Sequence, residues 1–153
     1  AAGLPGSGLF FPLSIKRNAD DADALVRTLL AVSRRDRSLT FAGDVPSGWT
    51  AQLMRANFDR LVAGAASAAA DTSARSEASG DCLGIAISCV GRRLVLKDRV
   101  EEELEAALQG LPAGTRLVGF YSYGEISPLV SGTGRCELHN QTMTITTLSE
   151  RQP

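Results

Sequence analysis

The most apolar run of the chain, LGIAISCV at residues 83–90, constrains the fold more than any other stretch. Eight consecutive residues without a charge predict a central strand that is buried on both faces, because a strand with one face in water would alternate apolar and polar residues. Gly91 follows the run and allows the chain to turn. The rest of the fold is therefore expected to be built around this strand.

A helix is predicted over residues 57–73, immediately before this strand. Asn57 is a favourable N-cap residue, and Asp59 lies in the first turn, where the helix dipole favours an acid. Apolar residues then recur at helical spacing through an alanine-rich segment. The small residues at 64–68 predict that this helix packs closely against a neighbour.

A second helix is predicted after the strand, with Gly110 and Pro112 ending it. One apolar stripe and one acidic, solvated face give the pattern of an amphipathic helix. The stripe consists of Leu96, Val100, Leu104, Ala107 and Leu108, and the solvated face of Glu101, Glu102, Glu103 and Glu105.

The N-terminal third of the chain predicts strands. Residues 9–15 form an apolar run that Pro12 interrupts, which favours an edge strand. Residues 24–32 fit a helix or a strand, but the alternating residues 38–42 that follow favour a hairpin. Residues 49–55 fit a returning strand.

The order of elements predicts an α+β fold, with a largely antiparallel sheet and two main helices packed on one face. Two further strands, at 116–123 and 136–148, complete that sheet. The length fits one domain. We predict a flexible start or linker at residues 1–8 and a domain at 9–153.

Composition excludes several classes of function. The net charge is −1, with both signs mixed, which gives no electrostatic case for nucleic acid or an anionic membrane as partner. No apolar run approaches the roughly 20 residues that span a bilayer. The N-terminus lacks both a secretory leader pattern and an initiator Met, so we expect a cytoplasmic fragment of a longer protein. The alanine- and arginine-rich composition suggests a bacterial source.

The three cysteines, Cys82, Cys89 and Cys136, are odd in number and match no zinc spacing. We expect them to be small buried hydrophobic residues in a reducing compartment. One histidine and scattered cysteines predict no metal site. The chain contains no Gly-x-Ser-x-Gly nucleophile elbow, and we predict that it is not an enzyme.

Residues 116–150 hold both tyrosines and the only histidine. Both halves of this segment fit strands, and residues 127–135 between them are rich in turn residues. The pattern predicts a long hairpin. That hairpin could gather polar groups into a ligand site, or it could be two sheet strands with polar ends.

Tyr121, Tyr123 and Glu125 have the spacing that places residues on one face of a strand. Glu125 could accept the ammonium of an amino-acid-like ligand between the two tyrosine rings. Alternatively, the tyrosines are core aromatics and Glu125 caps a loop. His139, with Asn140 beside it, is either a half-buried histidine bound to a backbone carbonyl or a contact to a ligand or metal.

Cys89 and Arg92 stand where the apolar strand meets the start of the next helix. A helix N-terminus with a nearby arginine can bind an anion, so Arg92 could bind a ligand carboxylate and Cys89 could carry a lowered pKa. The alternative is a tight strand–helix turn. Residues 132–135 (GTGR) lack the lysine and helix of a phosphate loop, and we interpret them as a hairpin loop.

The segments GFYSYGEI and GRCELHNQTMTITTLSE together resemble the C-terminal part of the FIST sensory domain, named for F-box and intracellular signal transduction proteins. LTFAGDVPSGWTAQLMRAN and SCVGRR extend the resemblance over roughly residues 10–150. The resemblance implies a ligand-sensing role, with amino acids as proposed ligands. It also implies two partners, an N-terminal FIST half and a signalling output domain or protein.

We therefore predict a non-catalytic sensory domain without a cofactor, which binds an amino-acid-like ligand and relays a signal. One alternative is a haem-based nitric oxide sensor with His139 as axial ligand, as some proteins of the resembled family are regarded to be. The other is a protein-interaction module whose docking face includes Trp49. The predicted ligand contacts are Tyr121, Tyr123, Glu125, His139, Asn140, Arg92 and Cys89.

Overall fold

The computed structural model describes residues 3–4, 6–74, 81–128 and 136–150, which form an α+β fold as predicted. The strands are β1 (Leu13–Lys16), β2 (Leu25–Arg27), β3 (Leu29–Ser33), β4 (Ser38–Phe41), β5 (Thr50–Leu53), β6 (Cys82–Cys89), β7 (Arg116–Ser122), β8 (Glu125–Pro128), β9 (Cys136–His139) and β10 (Met143–Ser149). The helices are α1 (Phe58–Ser73), α2 (Val90–Leu96) and α3 (Val100–Gly110), with 3-10 turns at Gly6–Phe10 and Lys97–Arg99. The described strands form four small sheets rather than one.

The N-terminal sheet has the strand order β2-β1-β5, and both pairings are antiparallel. The prediction of an edge strand here is wrong, because Pro12 lies before β1 and removes no hydrogen bond from it. The carbonyl of Pro12 instead accepts the N–H of Met54 at 2.8 Å. The predicted hairpin is confirmed as β3 and β4, and the predicted returning strand as β5. Trp49 is half-buried, with the Arg17 guanidinium 5.9 Å from its ring centroid.

Residues 6–8 belong to the first 3-10 turn, and Gly8 is buried against Leu29. A Cβ at Gly8 would lie 2.9 Å from Leu29 Cδ2, so the close approach requires a glycine. The domain boundary placed after residue 8 stays a prediction.

The C-terminal sheet has the order β10-β6-β7, with β6 in the centre as predicted. β6 runs antiparallel to β10 and parallel to β7. The prediction that β6 is buried on both faces is wrong, because its residues alternate between buried and more exposed. Ala86 and Ser88 are 5% and 4% exposed, whereas Leu83 is 38% exposed. The helices pack on the face that carries Ala86 and Met143. That face forms the core with Ala65, Ala107, Met143, Leu117 and Ile145.

The predicted first helix is confirmed as α1. The side chain of Asn57 caps it, because Asn57 Oδ1 accepts the N–H of Arg60 at 2.9 Å. The predicted close packing is also present. A Cβ at Gly110, the last residue of α3, would lie 2.7 Å from Ala69 Cβ and 3.0 Å from the Ala66 carbonyl oxygen. Small residues therefore let α1 and α3 touch backbone to backbone.

The predicted second helix is divided by the 3-10 turn at Lys97–Arg99, and α3 ends at Gly110 as predicted. The rotation of α3 about its own axis differs from the prediction. Glu103 is 0% exposed, while Leu104 and Leu108 are 42% and 47% exposed. The buried face of α3 thus runs through Glu103 and Ala107 rather than through the leucines, and the prediction of a solvated Glu103 is wrong.

The prediction of a long C-terminal hairpin is also wrong. β7 and β10 lie on opposite sides of β6, so the two segments do not pair with each other. Among the described residues of this segment, the short strands β8 and β9 pair antiparallel, with Glu125 opposite His139. Residues 129–135, which include the GTGR segment, lie outside the described residues.

Alanine substitutions at Gly64 and Gly110 should change the free energy of unfolding in opposite directions. Gly64 is exposed in the middle of α1, and its Cβ would meet only Arg92 Nη1 at 3.8 Å. Gly64→Ala should therefore stabilise by about 0.5–1 kcal/mol. Gly110→Ala should destabilise by about 1–3 kcal/mol, because the added carbon overlaps α1. Urea denaturation measures both, and changes of the same sign would contradict the described helix contact.

Candidate functional site

The fold brings Glu125 and His139 together as a cross-strand pair of β8 and β9, but it separates them from Tyr121 and Tyr123. Tyr123 is 90% exposed and Glu125 is 2% exposed, so the prediction of one shared face is wrong. The reason is that β7 ends at Ser122 and a new strand begins at Glu125, which interrupts the alternation between them. Tyr121 remains on β7 and faces α3.

Glu125 and His139 belong to a buried polar network. The Glu125 carboxylate accepts hydrogen bonds from Ser122 Oγ at 2.7 Å and Thr142 Oγ1 at 2.8 Å. His139 is 7% exposed, and its Nε2 lies 3.0 Å from the Ser127 carbonyl oxygen. This is the alternative in which the histidine binds a backbone carbonyl. The fold itself satisfies these polar groups.

Asn140 and Gln141 join the two halves of the fold. Asn140 Oδ1 accepts the backbone N–H of Thr28 at 3.0 Å, and Asn140 Nδ2 donates to the His139 carbonyl at 3.0 Å. Gln141 has a positive φ of 56°, and its Nε2 donates to the Leu9 carbonyl at 3.0 Å and to Thr28 Oγ1 at 3.2 Å. These contacts connect the segment after β9 to the N-terminal strands.

Arg27 is a buried cation in the same region, where the segment after β9 meets the N-terminal strands. No sequence pattern indicates its burial. Its guanidinium donates to the carbonyls of Asp44 and Leu138, both at 2.9 Å. Burial lowers the pKa of Arg27, while the carboxylates of Asp44 and Glu137 act in the opposite direction. Carbonyl oxygens and nearby acids therefore compensate for its burial.

Arg92 is 4% exposed and forms the centre of a second buried network. Its Nε lies 2.5 Å from Glu103 Oε1, and its Nη2 donates to the Leu61 carbonyl at 2.6 Å. Its Nη1 donates to the Gln141 carbonyl at 3.4 Å, and Ser88 Oγ donates to Glu103 Oε2 at 3.3 Å. The guanidinium N–H groups that could bind a ligand carboxylate thus already donate to Leu61 of α1, Glu103 of α3 and Gln141.

Cys89 is 4% exposed, and burial raises the pKa of its thiol. Desolvation outweighs the backbone hydrogen bonds at Gln141, Gly91 and Arg92, so the structure does not favour the alternative of a lowered pKa. Cys82 is buried as expected, whereas Cys136 is exposed. Among the described residues, no group of three or more His, Cys, Asp and Glu could hold a metal ion.

A cleft of about 590 Å³ lies between α3 and β7, a size typical of small-molecule sites. Most of its walls are apolar, as in most small-molecule sites, and Leu104, Leu108, Val118 and Phe120 expose part of this apolar surface to solvent. The lining residues are Ala86, Ser88, Arg93, Leu104, Glu105, Leu108, Leu117, Val118, Gly119, Phe120, Tyr121 and Met143. Tyr121 is the one residue that this cleft shares with the predicted ligand contacts.

Tyr121 and Arg93 are two polar side chains of the cleft that lie against each other. The hydroxyl oxygen of Tyr121 is buried and has no hydrogen-bond partner within the part of the chain that the structure describes. The Arg93 guanidinium carbon lies 5.0 Å from the centroid of its ring. Desolvation raises the pKa of Tyr121, reinforced by the charge of Glu103 and opposed by Arg93. Within the described part of the chain, the Tyr121 hydroxyl is therefore a buried donor without an acceptor.

The sequence pattern did not indicate Arg93, Leu104 or Leu108 as site residues. Both leucines fitted a core stripe because their spacing is helical, and only the burial of Glu103 shifts that stripe. The sequence does contain a signal for this difference, because the apolar stripe of the helix is wide. It includes Leu104 and Leu108 beside Ala107, although a helix that packs on one side needs only a narrow buried face.

Glu103→Gln should lower the free energy of unfolding by about 3–5 kcal/mol, because Arg92 then remains charged in the core without a counter-charge. The matched control is Glu102→Gln. Glu102 contacts Arg99 at 2.6 Å with its side chain 47% exposed, and a surface pair of this kind contributes little. Urea denaturation of both variants is the measurement, and equal losses would contradict a special role for the buried pair.

Comparison with known proteins identifies the chain. Residues 1–128 match the family model of the FIST C domain, and this range includes YSYGEI but not ELHNQT. No curated protein and no solved structure matches the chain. Within the described residues, no helix is long and apolar enough to cross a membrane. Because the match covers most of its length, the chain belongs to the FIST C domain family, whose members are sensory domains of signal transduction.

Proposed function

We propose that this domain senses a small amino-acid-like molecule with an apolar side chain, which binds in the cleft between α3 and β7. The unpartnered Tyr121 hydroxyl is the observation that carries the proposal. Buried polar groups in native proteins nearly always have a partner, and an acceptor on a ligand would supply the missing one.

The remaining cleft residues suit a zwitterion. Among the described residues, Arg93 has no ion-pair partner, so its guanidinium is available to a ligand carboxylate. Glu105 supplies a carboxylate for the ammonium. Leu104 and Leu108 supply exposed apolar surface for the side chain, at 42% and 47% exposure.

The buried ion pair offers a route for the signal. A ligand that contacts α3 and β7 would bias the position of α3, which Glu103 ties to Arg92 and through it to the Leu61 carbonyl of α1. A shift of α3 would therefore change the contacts of α1. We propose an attached output domain or a partner protein as the receiver, with an N-terminal FIST half as a further partner.

Among the predicted ligand contacts, our proposal retains only Tyr121. The others are already satisfied by the fold, or they lie away from the cleft lining. They are Tyr123, Glu125, His139, Asn140, Arg92 and Cys89. That they contact a ligand stays a prediction.

Haem does not fit the residues around His139. The imidazole is 7% exposed, its Nε2 is engaged by the Ser127 carbonyl, and it is not among the residues that line the cleft. An axial ligand needs a free ring nitrogen facing a space that can hold the macrocycle.

The proposed role is binding without catalysis, which agrees with a sensory family and a buried Cys89 thiol with a raised pKa. The exposed, unpaired Cys136 supports a reducing, cytoplasmic setting.

A thermal-shift screen against the natural amino acids tests the proposal. Those with apolar side chains should raise Tm by several degrees, because a ligand at 100 times its Kd adds about 2.7 kcal/mol. Tyr121→Phe should weaken binding roughly tenfold through the lost donor. The same variant should not lower the stability of the free protein, because the hydroxyl has no partner to lose.

Leu108→Glu should abolish the ligand-induced shift, and Leu94→Glu is its matched control. Leu94 is 52% exposed on α2 and is not among the residues that line the cleft. A screen in which no amino acid raises Tm, or in which both glutamate variants respond like the original chain, would rule out the cleft as the site.

A further inference from the structure

We infer that the cleft binds an extended peptide, added as a fourth strand along the outer edge of β7. The inference rests on the proposed function in placing the ligand in this cleft. It deepens that function by naming the ligand class, a short peptide with apolar side chains at alternate positions. A single amino acid would occupy one part of the same site.

The first observation is the free edge of β7. This strand pairs with β6 over all of its 7 residues, in a continuous parallel register. A strand presents backbone N–H and C=O groups to both sides, and no other strand pairs with the outer side of β7 among the described residues. Such a row of unpaired groups selects another extended backbone.

The second observation is that this edge has little of the usual protection, because the charged residue of β7 is Arg116 at its first position. Natural edge strands are blunted by inward charges, proline or bulges. Residues 117–122 (LVGFYS) contain neither charge nor proline, and the register of β7 shows no irregularity.

The third observation is the spacing of the opposite wall. β6 and β7 are parallel and joined by a crossover that contains α3, so α3 runs back alongside the strands. Leu104 and Leu108 are separated by about 6 Å along the helix axis. Alternate residues of a strand are separated by about 6.8 Å. Two successive same-face side chains of a peptide would thus meet the two leucines.

The other side chains of the added strand would lie beside the outer face of β7. Val118 and Phe120 are 54% and 60% exposed there, and they can form cross-strand apolar pairs. Tyr121 and Arg93 mark one end of the cleft with a hydroxyl donor and a cation. The donor suits a peptide carbonyl and the cation a C-terminal carboxylate. The site therefore favours an apolar peptide with a free C-terminus.

Fluorescence polarisation with a labelled pentapeptide, Thr-Val-Thr-Val-Thr with a free C-terminus, tests the inference. Two N-methylated forms are the key controls, one methylated at the second and fourth residues and the other at the third and fifth. Alternate N–H groups of a strand point to opposite sides. One form should therefore lose at least tenfold in affinity while the other binds like the parent peptide.

Binding of the parent peptide should also be lost in Leu108→Glu and retained in Leu94→Glu. If both methylated forms bind as tightly as the parent, backbone pairing is absent and the inference fails. If apolar amino acids raise Tm but the peptide does not bind, the proposed function stands and the inference fails alone. If neither amino acids nor the peptide bind, both are overturned.

Discussion

The buried ion pair between Arg92 and Glu103 is the interaction on which the rest of the structure depends. A charge in the core must be paired and hydrogen-bonded, and this pair connects α2 to α3 while the same guanidinium binds the Leu61 carbonyl of α1. Turning Glu103 inward fixes the rotation of α3. That rotation moves Leu104 and Leu108 out of the core and makes them a wall of the cleft.

The polar residues 139–141 have a structural role in the fold, although their chemistry suggests a ligand site. His139, Asn140 and Gln141 are consecutive and all buried, which no regular strand allows for one face. They bind backbone groups of Ser127, Thr28 and Leu9, and so they join the N-terminal strands to the C-terminal sheet. A concentration of polar side chains here reflects the need to satisfy backbone groups where two parts of the fold meet.

Local signals in the sequence were sufficient for the α+β class, for α1 with its Asn57 cap and for the hairpin of β3 and β4. Pairing between distant segments was not predictable, because β7 and β10 would each fit any apolar partner and only the fold selects β6. The burial of Glu103 depends on an arginine 11 residues earlier in the chain. Of the residues that line the cleft, the sequence singled out Tyr121, whereas Arg93 and the α3 leucines depend on the helix rotation that the ion pair sets.

The most direct test of the cleft as the sensing site is a titration of the domain with L-leucine, followed by backbone amide chemical shifts. The account predicts that the largest changes fall on residues 104–108 of α3 and 117–121 of β7, with Leu94 unaffected. A spectrum whose largest changes fall on Glu125, His139 and Thr142 would contradict it. A spectrum that does not change at millimolar leucine would contradict it equally.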